Sequence, residues 1–555
     1  MPEDNINNFI IKNDDNINMI TAYWLSTQFG GKTKWKALKH NGVLFPPEYK
    51  KHDTSVIYKG DHIKLDPIAE EYATMYAKYI DSEYIRNSVF RKNFWKDWKK
   101  VLGTDHIIQS LEDCNFSLIN EYLIKEKEAK KTLSPEEKKT KDDYENKFKI
   151  AIVDGKEQPV GNFRIEPPGI FLGRGCNPKL GKVKTRIYPE DIIINIGKGE
   201  DIPESLPGHK WQKVIHDKNV EWLAAWKDNI TGKTKYVWLG AHSDLKAKGD
   251  MDKFDNARKL KRKIKLIREK NEIELRSTNL FMKQIATALY FIDRFALRVG
   301  NEKGSDETDT VGVTSLRVEH IKLLNDNKVE LDFLGKDSVR YKRVLSVEPI
   351  IYTNLKEFME KKAPVEQLFN EINSNDINRY LRSFMPKLTA KVFRTYNASA
   401  LFQKELTKIS NKFDTYQEDD KINVLLDEFN KANAKVAMLC NHQKNVSKST
   451  NKQLDTINTM IKKHQKALRK AKKSKNHSPE KIALIQDKIK KLKAKKELKI
   501  ELKNISLGTS KVNYIDPRIT ISFMKQHGLP IDKIFSKTLQ EKFKWAFDVD
   551  QTYKF

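Results

Sequence analysis

Between residues 257 and 299 apolar side chains recur every three or four positions. Phe281, Ile285, Leu289, Ile292 and Phe295 fall on one face, so the spacing predicts a long helix with Gly300 in the capping position beyond its end and Arg298 in its last turn. Farther along, VELDFLG alternates apolar and polar residues, KDS makes a turn and VRYKRVL returns. This is the pattern of a β-hairpin with Lys336 at its tip. A mostly helical stretch runs on to about residue 445, where His442 closes a helix whose expected core face is Ile422, Leu425, Phe429, Val436 and Leu439.

Residues 450–500 change character. Leu454, Ile457, Ile461 and Leu468 form one apolar stripe, Ile482, Ile485, Ile489 and Leu492 another, and lysine fills much of the rest. SKNHSPE lies between the stripes, with Ser478 as expected N-cap and Pro479 in the first turn. The pattern predicts an antiparallel helical hairpin with a basic surface. The last 55 residues return to mixed composition and contain the loop-like GTSKVNYIDPR.

Before residue 245 a helical stretch over Pro67 to Ile80 mixes with short strand-like segments (AIVDG, IIINIG, YVWLG) and the turn-rich GNFRIEPPGIFLGRGCNPKLG, an α+β region. Residues 1 to about 30 are polar and lack a sustained apolar period, so a disordered tail is expected there.

The 555 residues suffice for about three to four units at roughly 150 residues each, and 39% apolar content builds real cores. Lys and Arg number 104 against 75 Asp and Glu, a net charge of +29 that strongly attracts a polyanion, nucleic acid above all. The chain has no apolar run of the roughly 18 residues that a membrane span needs, and no signal or transit peptide is expected from the acidic, Asn-rich opening residues. Cys114, Cys176 and Cys440 are scattered and odd in number, which suits a reducing compartment and offers no disulfide framework.

Cofactor chemistry finds no support. GKT occurs at 31–33 and 232–234, but the glycine that a phosphate loop needs five positions earlier is Ser26 or Lys227. Gly173, Gly175 and Gly181 miss the dinucleotide spacing, and Cys440 with His442 supplies at most two ligands where zinc takes four. The expectation is a site with no metal and no cofactor.

Five segments remain: FALRVGNEK with Arg298, FLGKDS with Lys336, TAKVFRTYNAS with Arg394, MLCNHQ with His442, and LGTSKVNYIDPRIT with Tyr514. Taken singly each has an ordinary explanation. An Arg at a helix end complements the dipole, and a Lys at a hairpin tip is solvated. His442 and Arg394 could cap or pack, and Tyr514 could be a loop tyrosine. Together they closely resemble the active-site signature of the eukaryotic type IB DNA topoisomerases. The resemblance runs from about Lys34 to Phe555 through KWKALKHNG, FRKNFWKDWKK, NFRIEPPGIF, PEDIIINIGK, ALYFIDRFALRVGNEK and EKFKWAF.

That resemblance implies a multidomain α+β fold closing around DNA as a clamp. Its parts are a tail (1–30), mixed α/β cap lobes (31–245), a mostly helical catalytic lobe with a β-hairpin (246–445), a protruding basic helical hairpin (446–502) and a small C-terminal domain with the tyrosine (503–555). It implies that Tyr514 is the nucleophile, that Arg298, Arg394 and His442 hold the pentavalent phosphate, and that Lys336 is the general acid. Fixed donors at the nonbridging oxygens suit phosphoryl transfer without a metal. The bond energy stays in the 3′-phosphotyrosyl link, so religation needs no ATP.

Arg174, Lys235, Tyr236, Lys303, Asp309, Thr310, Asp337 and Asn513 match positions that contact DNA, among which Arg174, Asp337 and Asn513 line the cleavage site and the pocket for camptothecin-like inhibitors. A solvated basic face is an equally good account of such lysines, because phosphate contacts carry no sequence information. The implied partner is double-stranded DNA bound by a monomer, with no membrane. The implied compartment is the nucleus, or a viral factory or virion if the source is a large DNA virus.

In RGCNPKLG, Cys176 and Asn177 stand where relatives commonly have a polar residue followed by His, which bears on strand contact and drug response. A tyrosine recombinase uses a similar two-Arg, Lys, His and Tyr set, and a noncatalytic DNA-binding protein needs only the positive charge. The cap motifs and the hairpin before Tyr514 favour the topoisomerase over the first. The complete tyrosine and lysine motifs favour it over the second.

Overall fold

The computed structural model describes residues 33–129, 135–301, 303–304, 307–412, 421–443, 448–473 and 479–555. The expected tail and the Ser478 cap lie outside them. The fold is mixed helix and sheet, with several small sheets and no barrel, and falls into two compact units. One comprises residues up to 172 with 179–246; the other comprises 173–178 with 247–555.

Among the described residues the first unit carries two large apolar cores and a small one of Ile193, Ile215, Trp222 and Ala225. In one large core, the helix Ser88–Leu102 starts where Asn87 accepts hydrogen bonds from the amides of Val89 and Phe90, and it stops at Gly103, whose φ is +86°. Phe90, Phe94 and Trp98, four apart, are fully buried, each worth about 1.5–3 kcal/mol of transfer free energy. They pack with Tyr76 of the helix Pro67–Ala77. The other large core lies under a sheet of four strands in the order Lys213–Ile215, Ile192–Asn195, Trp222–Lys227 and Thr234–Trp238. Its first pair is parallel and the others antiparallel. Ile192–Asn195 is buried on both faces, which is why IIIN shows no alternation. A smaller sheet joins Leu38–His40, Ile150–Val153 and Lys156–Pro159.

The long helix expected over 257–299 is two helices, Asp244–Glu274 and Leu280–Arg294. Asn279 starts the second by accepting a hydrogen bond from the Met282 amide. Ile285, Leu289 and Ile292 are buried, but Phe281, in the first turn, is exposed. Gly300 is not the cap. The chain leaves the helix at Ala296, which takes a left-handed φ of +51°, and Arg298 lies in the extended segment beyond.

VELDFLG and VRYKRVL form the antiparallel strands Lys328–Leu334 and Arg340–Ser346, with Leu334 opposite Arg340. Val329, Leu331 and Phe333 face the core, and Ile321–Leu324 adds a third strand. The helices Pro349–Met359, Ser374–Arg382, Ala390–Ser410 and Lys421–Leu439 follow. Leu425, Phe429 and Val436 of the last are buried; Ile422, in its first turn, is exposed. Lys448–Lys473 and Pro479–Glu501 pack on each other through Ile457, Ile461 and Ile489. The short helix Leu507–Asn513 and the helix Pro517–His527 then complete a core that includes Phe402, Phe429, Ile515 and Phe523.

Candidate active site

Four side chains named from sequence, Arg298, Lys336, Arg394 and His442, line one cleft of about 130 Å³ in the second unit. Tyr514 joins them through the Arg298 guanidinium, whose Nη1 donates to the Tyr514 phenol oxygen at 3.1 Å.

Arg298 is held through its backbone. Its carbonyl accepts from the Val313 amide at 2.8 Å, and the Val299 carbonyl accepts from the Thr314 amide at 2.7 Å. The two segments approach so closely that a Cβ on Gly312 would lie 2.4 Å from the Gly300 Cα, which only glycine permits.

Arg394 sits near the start of the helix Ala390–Ser410 and is 6% exposed. Its Nη1 donates to the Ala296 carbonyl at 2.9 Å and its Nη2 to the Cys440 carbonyl at 2.7 Å, while Nε is buried without a partner in the protein. Burial lowers its pKa, with Arg298 nearby acting in the same direction, yet a guanidinium stays cationic. The left-handed Ala296 thus bears on both arginines: it ends the helix before Arg298 and offers its carbonyl to Arg394.

His442 follows Asn441, another left-handed residue at φ +53°. Its amide donates to the Ala437 carbonyl and its carbonyl accepts from the Ser506 amide, both at 2.8 Å. Nδ1 lies 2.6 Å from the Ser510 hydroxyl, and Nε2 is buried with no partner in the protein. Burial first, then Arg394 and Arg298, pushes its pKa down to about 3, so the ring is neutral at physiological pH. Its plane stacks on the Tyr514 ring at 5.2 Å, and the Arg394 guanidinium lies 5.1 Å from the same ring.

Tyr514 ends the helix Leu507–Asn513. Its amide donates to the Ser510 carbonyl at 2.9 Å and its carbonyl accepts from the Ser399 hydroxyl at 3.0 Å. Lys336 is exposed in the turn Lys336–Ser338, between Gly335, whose amide donates to the Val339 carbonyl, and Asp337 at φ +66°.

The secondary residues divide. Arg174 forms an ion pair with Asp337, bringing the segment 173–178 beside the hairpin turn, and the Asn177 amide donates to the Thr308 hydroxyl at 2.9 Å. Asn513 is exposed one residue before Tyr514. Asp309 is engaged by both terminal nitrogens of Arg317, at 3.1 and 2.8 Å. Lys303 is exposed and Thr310 half-buried. Lys235 and Tyr236 belong to the first unit, on the strand Thr234–Trp238, where Lys235 approaches Glu166 at 3.9 Å and Tyr236 packs between Trp222 and Trp238.

Sequence reasoning missed Ser510, Ser399, Ala296 and Gly312, which support the site through main-chain or hydroxyl contacts. None carries a readable signal: Ser510 lies in GTSKVNYIDPR, which reads as a loop, whereas Leu507–Asn513 is a helix that sets Ser510 one turn before Tyr514. Among the described residues no three His, Cys, Asp or Glu side chains cluster as metal ligands, and no helix is long and apolar enough to cross a membrane.

Three family models match in chain order: the DNA binding fragment of eukaryotic DNA topoisomerase I over residues 33–239, its catalytic core over 242–475, and a C-terminal topoisomerase domain over 486–555. DNA topoisomerase 1 of Caenorhabditis elegans is 43% identical over 97% of this chain and 70% of its own length, and that of Homo sapiens is 42% identical over 96% and 73%. The chain belongs to the eukaryotic DNA topoisomerase I family. DNA topoisomerase 1 beta of Arabidopsis thaliana is 43% identical over 95% of the chain, which spans about 60% of that relative's length. The five clustered residues are divided between the topoisomerase I core match, with Arg298, Lys336, Arg394 and His442, and the C-terminal match, with Tyr514.

Proposed function

We propose that this chain is a type IB DNA topoisomerase that relaxes positive and negative supercoils by cutting and resealing one strand of duplex DNA, without metal or ATP. The observation that carries the reading is the surround of Tyr514. Two arginines and a neutral histidine converge on it, and Arg394 Nε and His442 Nε2 are buried polar atoms with no partner in the protein. A phosphodiester supplies the acceptors these atoms lack.

In the proposed reaction the Tyr514 oxygen attacks the scissile phosphorus. Its proton passes to water, and Arg298, 3.1 Å from the phenol oxygen, holds that oxygen in place for the attack. Charge growing on the nonbridging oxygens is met by Arg298, Arg394 and His442, already fixed by the main chain. As the bond to the 5′-oxygen breaks, Lys336 delivers the proton that the leaving alkoxide needs. The 3′-phosphotyrosyl link keeps the bond energy, and the 5′-hydroxyl reverses the step after the duplex has turned.

In this reading 31–245 would be a cap, 246–445 and 503–555 a catalytic body, and the lysine-rich hairpin 446–502 would lie against downstream DNA. Arg174, Asp337 and Asn513 would line the cleavage site and admit camptothecin-like inhibitors. Lys235, Tyr236, Lys303, Asp309 and Thr310 would lie along the bound strand. The chain would work as a monomer in the nucleus.

Incubating the chain with negatively supercoiled plasmid in EDTA without ATP tests the reading. Relaxation by the chain and none by Tyr514→Phe is the expected result. A folded, DNA-binding chain that leaves the plasmid supercoiled overturns it.

A further inference from the structure

Ser510 lies at the centre of the site and takes no part in the reaction as described. It is completely buried, and its main chain and side chain hold different partners. The carbonyl accepts the amides of Tyr514 and Ile515 at 2.9 and 3.0 Å, and the hydroxyl lies 2.6 Å from His442 Nδ1. A neutral imidazole has one proton, on Nδ1 or on Nε2, and the partner of one nitrogen decides the state of the other. If the ring donated to the serine, Nε2 would present a lone pair to the phosphate oxygens and repel them. If the serine donates to the ring, Nε2 keeps its proton and becomes a donor. Nε2 is the buried, partnerless atom, and in the second arrangement it is a donor that a phosphate oxygen would satisfy.

We infer that Ser510 is a positioning residue: its hydroxyl donates to His442 Nδ1 and fixes the tautomer in which Nε2–H donates to a nonbridging oxygen of the scissile phosphate. The inference rests on the topoisomerase reading and adds to it the group that sets the histidine's polarity. It also ties nucleophile and phosphate donor to one residue, because the turn that positions Tyr514 carries the hydroxyl that orients His442.

Single-turnover formation of the covalent adduct on a nicked suicide duplex, in EDTA, tests it with the full chain. Ser510→Ala is expected to slow adduct formation by about 10- to 100-fold, on the scale of losing the partner that orients a metal-bound histidine. Ser510→Thr, which keeps the hydroxyl, should stay within a few-fold of the parent. Combining Ser510→Ala with His442→Ala should be no slower than His442→Ala alone, because the serine acts only through the ring. A Ser510→Ala variant at the parent rate, or losses that multiply in the double variant, would overturn the inference and leave the topoisomerase reading standing. Absence of adduct with the unmodified chain would overturn both. The ¹⁵N spectrum of histidine-labelled chain needs no variant to be active: a proton on Nε2 of His442 is expected, and a proton on Nδ1 would overturn the assignment.

Discussion

Arg298 Nη1 and the Tyr514 phenol oxygen meet at 3.1 Å across 216 residues of sequence, whereas Arg394 turns both terminal nitrogens to main-chain carbonyls and keeps only Nε free of protein partners. The two arginines are therefore not equivalent. Arg298→Ala should slow cleavage by about 10²–10³-fold, the typical loss of one fixed donor, with little change in melting temperature. Arg394→Ala should slow cleavage and also destabilise, because the buried carbonyls of Ala296 and Cys440 each lose a partner, at about 1–3 kcal/mol apiece. Single-turnover cleavage and thermal melts of both variants check this, and equal melting losses would contradict the distinction.

Lys336→Ala should cut cleavage of ordinary DNA by about 10²–10⁴-fold, the range for a lost general acid. On a substrate whose leaving 5′-oxygen is replaced by sulfur, the parent and the variant should cleave at nearly the same rate, because a thiolate leaves without a proton. A variant equally slow on both substrates would assign Lys336 to holding the phosphate.

Acid should weaken the fold through two buried histidines. His40 accepts the Gly42 amide at Nδ1, faces the Asn195 carbonyl with Nε2, and is pushed down to about 4 by burial; His442 is pushed down to about 3. Between pH 6.5 and 4 the unfolded chain binds protons that the folded chain refuses. This contribution is therefore fully present above 6.5 and is lost as pH falls toward the folded values, at up to about 1.4 kcal/mol per pH unit for each ring. Melting temperatures from pH 7.5 to 5 should fall with a slope that His40→Gln reduces; a flat profile would contradict it.

Asp516 is completely buried two residues beyond the tyrosine. It accepts the Arg518 amide at 3.0 Å, the Arg518 guanidinium at 2.8–3.2 Å and the Tyr553 hydroxyl at 3.0 Å. Asp516→Ala should destabilise the second unit by about 3–5 kcal/mol, since Arg518 would keep only Asp255 as an anionic partner. Denaturant unfolding measures it, and a loss below 1 kcal/mol would mean that the pair is solvated in solution.

Shortening the hairpin 452–499 should leave cleavage intact while changing the relaxation rate and its salt dependence, as expected if its lysines drag on passing phosphates. Plasmid relaxation across a salt series reads both, and unchanged behaviour in both would remove the braking role.

Local periodicity made some of this site legible. Lys336 at a hairpin tip follows from the alternation in VELDFLG, the turn residues KDS and the returning VRYKRVL, and the two stripes of 450–500 point to the packed helical pair. Arg298 was misplaced because nothing in FALRVG announces a left-handed Ala296; that conformation is held by tertiary contacts. Arg394 read as an ordinary neighbour of core residues because its partners are carbonyls about 98 and 46 positions away, which leave no side-chain signature. The exposure of Ile422 and Phe281 has a similar origin: periodicity marks a face but does not say where the neighbouring element ends. The ion pair of Arg174 with Asp337 was beyond reach for the same reason.

The carbonyl of His442 and the amide of Ser506 are hydrogen-bonded, and Gln443 bridges to Ile505. His442 and Gln443 thus pair with Ser506 and Ile505 on either side of the stretch that holds the helices Lys448–Lys473 and Pro479–Glu501, and Tyr514 lies one short helix past Ser506. If the proposed function holds, load that passing DNA puts on the helical pair would reach the body at this pairing, between histidine and tyrosine.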